Sequence, residues 1–206
     1  MGLGLPAFLV AWTVMMSAMM LPSVAPLASL YARSISVRRT QRLLLFTGGY
    51  LVVWVAAGVL AFGLGALIAT QAEMNPAIAT VAGVAAYVAC GAYQLSPLKY
   101  RCLKHCRSPL SLFLKYSSYA GSLRDVRVGV HHGAYCLGCC WALMVVLLAL
   151  GAMSVVPMLI LAAVVITEKL WSRGEAFSRL VGIASLVLAV AAIWIPDLAP
   201  GFRPLM

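Results

Sequence analysis

Three cysteines, Cys136, Cys139 and Cys140, lie close together in an apolar segment that extends from residue 133 to residue 150. Positions i, i+3 and i+4 share one face of an α-helix, so this spacing brings the three thiols together, and Met144 extends the same face by one turn. Sulfur ligands are soft; they favour Cu(I) and also bind zinc. The pattern predicts a sulfur-lined metal site inside an apolar helix, although small residues also cluster in such helices simply to allow close packing.

A second group of candidate ligands, Cys102, His105 and Cys106, lies in a basic segment between two prolines, Pro97 and Pro109. The prolines leave room for a short interfacial helix with both cysteines on one face and the histidine beside them. Neighbouring cations are expected to lower the pKa of both thiols and to favour metal capture. Those cations are Lys99, Arg101, Lys104 and Arg107.

The first apolar segment contains four methionines within six residues: Met15, Met16, Met19 and Met20. Met15 and Met19 are one helical turn apart, as are Met16 and Met20, so one pair faces the interior of a bundle for any rotation of the helix. Thioethers bind Cu(I) and carry no charge, so their burial costs little. Met15, Met19 and Met20 are therefore candidate metal ligands, and ordinary packing by flexible side chains explains them equally well.

The composition is that of an integral membrane protein. Of the 206 residues, 64% are hydrophobic and 10% are charged, whereas about a quarter are charged in soluble domains. Six apolar segments are long enough to predict spanning helices. They cover residues 5–30, 43–70, 76–95, 131–151, 153–169 and 177–196. We expect an all-α polytopic bundle of about six transmembrane helices that forms a single membrane domain over residues 1–206.

The net charge of +10 is confined to alternate loops, which contain all but one of the 15 lysines and arginines. The positive-inside rule places these loops in the cytoplasm and both termini outside. The largest is a basic loop at residues 97–128, which includes the short cysteine-containing helix. Cations in this arrangement contact the lipid headgroups of the bilayer and do not indicate nucleic-acid binding.

Polar residues at two helix ends each have two interpretations. His131 and His132 begin the fourth apolar helix and are either ligands or simple caps. Glu168 and Lys169 end the fifth helix, where they form either a functional site or a local ion pair.

The order of these motifs resembles that of the bacterial DUF2182 family of predicted metal-binding integral membrane proteins, which is sometimes labelled copper chaperone. The matching residues are Trp12-x-x-Met15-x-x-Ala18-Met19-Met20-x-Pro22, Tyr93-Gln94-x-x-Pro97-Leu98-Lys99-x-x-Cys102-Leu103-x-x-Cys106-Arg107-x-Pro109, Cys136-x-Gly138-Cys139-Cys140-Trp141-x-Leu143-Met144, Gly151-x-Met153 and Glu168-Lys169. The resemblance implies metal binding in a bacterial inner membrane, without implying transport, delivery or catalysis. Members of the family often have a further helix before the first motif; this sequence starts almost at the motif, which is expected either for a short member or for a late start site.

The leading hypothesis is a protein that handles, delivers or transports copper as Cu(I) through cysteine and methionine ligands, with zinc as the other possible ion. Its partners would be the metal ion and either a metal chaperone or other membrane subunits. A membrane thiol-disulfide oxidoreductase and a structural or assembly subunit are the alternatives. The sequence has no nucleotide-binding motif, so ATP hydrolysis within the chain is excluded, and no catalytic residue is predicted.

Overall fold

The computed structural model describes residues 4–35, 37–117, 119, 121, 123–151 and 154–202, so Met153 lies outside the described residues. Within these ranges the chain is helical and contains no strand. The helices are α1 (Leu5–Ser34), α2 (Arg39–Met74), α3 (Ala77–Gln94), α4 (Pro97–Cys106), α5 (Pro109–Ser117), α6 (Arg124–Leu150), α7 (Val155–Leu170) and α8 (Gly174–Trp194). Two short 3₁₀ turns follow, at Pro196–Leu198 and Pro200–Phe202.

Five of the described helices, α1, α2, α3, α6 and α8, are long and apolar enough to cross a membrane. The predicted all-α membrane bundle is therefore confirmed. The sixth predicted span, residues 153–169, corresponds to α7, which has 16 residues. At 1.5 Å per residue α7 is about 24 Å long, shorter than the roughly 30 Å hydrocarbon core of a bilayer.

Helix α6 lies at the centre of the bundle. In its most apolar stretch 61% of the residues are buried, against 22% to 39% in the other four long helices. It packs against α2, α3, α4 and α7. A side chain on α6 therefore faces protein in most directions, which is the condition for a site that excludes lipid.

Residues 124–128, which the sequence analysis assigned to the basic loop, form the first turn of α6. The side chain of Asp125 explains this early start. It accepts hydrogen bonds from the hydroxyl of Tyr31 and from the guanidinium of Arg42, whose Nη2 lies 3.0 Å from Oδ1 and whose Nε lies 3.1 Å from Oδ2. A carboxylate in the first turn also complements the helix dipole. The end of α1 and the starts of α2 and α6 are thereby tied together; we call this end of the bundle, marked by Arg42, Lys104 and Arg124, the basic end.

Glycines allow α2 and α6 to approach each other closely. A Cβ atom on Gly129 of α6 would lie 2.1 Å from the carbonyl oxygen of Phe46 and 2.9 Å from the backbone nitrogen of Tyr50. One turn later, a Cβ atom on Gly133 would lie 3.1 Å from the carbonyl oxygen of Tyr50. This close packing brings the Tyr50 side chain of α2 to the cysteines of α6.

We expect Gly129→Ala to destabilise the protein by about 1–3 kcal/mol, because the added methyl group would overlap backbone atoms that can move only if the helices separate. Thermal unfolding of the detergent-solubilised protein measures the effect. Gly63→Ala is the matched control: Gly63 is an exposed position in α2, and a Cβ atom there would meet no other atom within 4 Å. The control should be stabilised by up to about 1 kcal/mol; equal responses of the two variants would contradict the close packing.

Candidate metal centre

The structure brings cysteines from α4 and α6 together. Cys136, Cys139 and Cys140 of α6 are each at most 1% exposed. The thiol of Cys106 in α4 forms a hydrogen bond with Cys139. We call these four residues the sulfur cluster. The ammonium group of Lys169 in α7 lies within electrostatic range of all four of them, so the cluster lies beside a buried cation.

Cys136 has the closest contact with this cation. Its Sγ atom lies 2.9 Å from Nζ of Lys169, and Nζ also lies 3.1 Å from the hydroxyl oxygen of Ser23 in α1. The hydroxyl of Tyr50 lies 3.1 Å from the same sulfur. A buried ammonium needs a negative partner, and no described carboxylate forms an ion pair with Lys169. Cys136 is therefore positioned to act as a thiolate.

Cys140 is adjacent to this contact. Its thiol donates a hydrogen bond to the carbonyl oxygen of Cys136, at 2.9 Å. The bond is local to the helix, so a small rotation of the side chain would free the sulfur for another partner.

The local ion pair between Glu168 and Lys169, one of the two expectations for these residues, is not formed. Glu168 instead pairs with Lys99 of α4, whose Nζ lies 2.7 Å from its Oε2. The same Nζ donates to the carbonyl oxygen of Cys139 at 2.6 Å, and Gln94 donates to Oε1 of Glu168 at 2.7 Å. Lys99 is 1% exposed, so it is a buried structural residue and does not contact lipid headgroups.

The remaining α4 ligands flank the sulfur cluster. A Cβ atom on Gly138 would lie 3.5 Å from Sγ of Cys102, which places this half-buried thiol against α6. The ring of His105 stacks on Tyr135, with the centroids 3.8 Å apart, and its Nε2 has no hydrogen-bond partner among the described residues. Burial and nearby Lys115 lower the pKa of His105, so its ring is neutral near pH 7 and a nitrogen lone pair is available to a metal.

The expected lowering of the Cys106 pKa is wrong. Its pKa is raised because the thiol donates its hydrogen bond to Cys139, and desolvation adds to the effect. One of the cations expected to lower it, Lys99, is engaged by Glu168 instead. Cys106 therefore remains protonated in the metal-free protein and would lose its proton on binding a metal.

The helix-one methionines are all buried, between 0% and 7% exposed. Trp12 fixes this helix to α2 by donating from Nε1 to the carbonyl oxygen of Trp54, at 2.9 Å. Met19 and Met20 precede Ser23 by one turn, and Ser23 contacts Lys169. The methionines therefore continue from the sulfur cluster along α1.

Met144 lies one turn beyond Cys140, on the lining of an apolar cavity of about 210 Å³. Trp12, Trp54 and Trp141 line the same cavity. The predicted ligand Met144 thus lies at an apolar cavity that exposed side chains such as Leu60 also line.

The cysteine side chains of the sulfur cluster lie close to the ammonium group of Lys169 and do not converge on a common metal position. Among the described residues, no group of three cysteine, histidine, aspartate or glutamate side chains is already placed to hold a metal ion. Lys169 contacts the sulfur of Cys136 directly, so a metal bound by Cys136 would have to displace this side chain.

A family model described as PpoB2, copper chaperone, matches residues 9–192 of the chain. The chain belongs to this PpoB2 copper chaperone family. The match covers every residue of the sulfur cluster together with Lys169, Lys99 and the helix-one methionines. No curated protein and no solved structure matches the chain. Membership in the PpoB2 family supports copper as the ion and does not identify its ligands.

Sequence reasoning missed three groups at the site of this PpoB2 family member: Tyr50, Ser23 and the cationic role of Lys169. A charged residue at membrane depth is a signal of function in its own right. Lys169 is such a residue. The expected ion pair with Glu168, its neighbour in the sequence, made its charge look neutralised. Tyr50 and Ser23 are ordinary residues in apolar helices, so no sequence pattern distinguishes them.

We expect Lys99→Met to destabilise the protein by about 3–5 kcal/mol, because it leaves the Glu168 carboxylate as an unpaired buried charge. The double variant Lys99→Met/Glu168→Gln removes both charges and keeps an acceptor for Gln94, so it should recover most of the loss. Thermal unfolding in detergent measures both. Lys104→Met, an exposed position on the same helix, is the matched control and should change stability little; a double variant as unstable as the single one would contradict the ion pair.

Proposed function

We propose that this protein is a membrane-embedded Cu(I)-binding protein that captures the ion in the sulfur cluster and delivers it through the bilayer-spanning bundle. The observation that carries the proposal is a buried cation position in contact with the thiol of Cys136 and within electrostatic range of three further thiols, between α4, α6 and α7. In the metal-free protein the ammonium of Lys169 takes this position, 2.9 Å from the Cys136 sulfur.

The charge of the position supports a monovalent ion. Cu(I) and an ammonium each carry one positive charge, so a thiol that already balances one buried monovalent cation is suited to bind another. Zinc would add a second positive charge, and it favours a closed tetrahedral set of four ligands. Magnesium and calcium are excluded by ligand type, because they bind oxygen.

The rest of the site supports passage of the ion along α1. Met15, Met19 and Met20 are buried in α1, and the last two lie one turn before Ser23, which contacts the same ammonium. Thioethers bind Cu(I) without adding charge, so they offer positions of lower affinity deeper in the apolar bundle. The positive-inside rule supports a cytoplasmic location for the basic end and thus for the sulfur cluster. A cytoplasmic metal chaperone is the partner that fits such a location.

A thiol-disulfide oxidoreductase is the second candidate, and the contact between Cys106 and Cys139 favours it. Two thiols in hydrogen-bond contact need little movement to form a disulfide, and a cation beside Cys136 would activate a third thiol for exchange.

We expect Cys136→Ser/Cys139→Ser to abolish Cu(I) binding. The double variant removes the Cys136 thiol, which contacts the Lys169 ammonium, and the Cys139 thiol, which is hydrogen-bonded to Cys106. Metal analysis of the purified full-length chain after loading with Cu(I) and removal of the excess by a chelator measures the stoichiometry. Cys90→Ser is the matched control, since Cys90 is a buried cysteine of α3 outside the sulfur cluster, and it should bind copper as the wild type does.

Thiol titration of the same preparations separates the two candidate functions. Copper handling requires free thiols in the metal-free protein and their protection when Cu(I) is bound. A wild-type protein that takes up no copper and contains a reducible Cys106–Cys139 disulfide would overturn the proposal and establish the oxidoreductase.

We expect Met15→Leu/Met19→Leu/Met20→Leu to load Cu(I) normally and to release it several-fold more slowly, because leucine keeps the packing volume and removes the thioether ligands. Release from loaded proteoliposomes to an external Cu(I) chelator measures the rate. Met74→Leu, at an exposed position at the end of α2, is the control. A triple variant with wild-type release would show that these methionines serve packing only.

A further inference from the structure

One buried nitrogen atom beside the sulfur cluster has no role in the arrangement described so far. His132 of α6 is 3% exposed, and its Nδ1 atom has no hydrogen-bond partner among the described residues. Most buried polar groups in folded proteins are hydrogen-bonded, and an unpaired one costs folding free energy. The fold thus retains a buried nitrogen at a cost that an apolar residue would avoid.

The position of His132 relates this nitrogen to the proposed copper site. His132 precedes Cys136 by four residues, so the two side chains share a face of α6. Side chains on a helix lean toward its N-terminus, so the ring lies on the basic-end side of Cys136 and the Cys136 side chain leans toward it. Its ring lies on Tyr50, with centroids 6.1 Å apart and planes 28° from parallel, and the Tyr50 hydroxyl contacts Cys136.

The ring also lies within electrostatic range of Lys169, the residue that occupies the cation position. Tyr50 and Lys169 therefore both connect the imidazole to the sulfur of Cys136. Imidazole nitrogen is a good ligand for copper and combines readily with sulfur in copper sites. The neighbouring His131 differs, because its Nδ1 lies 3.0 Å from the hydroxyl of Tyr116 and its Nε2 lies 3.4 Å from Nζ of Lys115. Its two nitrogens already have partners.

We propose that His132 is a copper ligand, whose Nδ1 binds the ion together with the thiolate of Cys136 when Lys169 is displaced. The proposal rests on the proposed function, since it adds a nitrogen ligand to the same site. The site would then have both sulfur and nitrogen ligands. The nitrogen would lie on the side of the site that faces the basic end, where the ion enters.

The test compares His132→Leu with His131→Leu in the full-length chain purified in detergent. Competition with a Cu(I) chelator of known affinity measures binding, and thermal unfolding measures the stability of the metal-free protein. His132→Leu should weaken Cu(I) binding by about tenfold or more, since even the loss of an outer-shell partner costs about 10- to 100-fold in metal affinity. It should leave the metal-free protein as stable as the wild type or more stable, because it removes an unpaired buried nitrogen.

His131→Leu should give the opposite result: unchanged Cu(I) affinity and a less stable metal-free protein, because it leaves the Tyr116 hydroxyl without its partner. His132→Cys supplies a different soft ligand at the same place and should restore most of the affinity. X-ray absorption of the copper-loaded wild type should show the outer-shell scattering of an imidazole, and His132→Leu should lack it.

Wild-type Cu(I) affinity in His132→Leu would overturn the assignment of His132 and leave the sulfur site standing. A less stable metal-free His132→Leu, with no change in the absorption spectrum, would show that the ring has a structural role only. Absence of copper binding in the wild type would overturn the proposed function, and the His132 assignment with it.

Discussion

The ammonium group of Lys169, held against a sulfur atom inside an apolar bundle, is the interaction on which the rest of the site depends. A buried cation without a carboxylate must find its negative charge elsewhere, and the thiols are the groups within reach. Three surrounding helices supply the groups that contact the ammonium or its sulfur partner. Helix α6 supplies the sulfur of Cys136, α2 supplies the Tyr50 hydroxyl and α1 supplies the hydroxyl of Ser23.

The pairing of Glu168 with Lys99 makes this arrangement possible. If the carboxylate of Glu168 turned to its neighbour in the sequence, Lys169 would be neutralised and Cys136 would lose its cation. Lys99 prevents this by approaching from α4, and its second hydrogen bond goes to the backbone of Cys139. One lysine therefore satisfies the acid and attaches the α4 helix, with Cys106 on it, to the cysteines of α6.

Sequence periodicity predicted those parts of the site that lie within one helix. The three cysteines of α6 share a face because the helical repeat requires it, and two prolines bound the helix that contains Cys102 and Cys106. The partners of Lys99 and Lys169 could not be predicted in the same way. They lie 69 and 33 residues away in the chain, and helix packing decides which of several nearby charges they meet. Counting basic residues near Cys106 suggested the wrong direction for its pKa for this reason, since proximity in sequence does not give the direction of a side chain.

The adjacent positions of Glu168 and Lys169 have a mechanical consequence. The ion pair and the Gln94 hydrogen bond anchor the end of α7 at Glu168, so the backbone of the next residue has little freedom. The lysine side chain, by contrast, is a flexible chain of methylene groups. In the proposed binding of Cu(I), only the Lys169 side chain has to move while α7 stays in place. Ser23 already contacts the Lys169 ammonium group and can keep it as a partner. The cation position would then become free without a change in the arrangement of the helices.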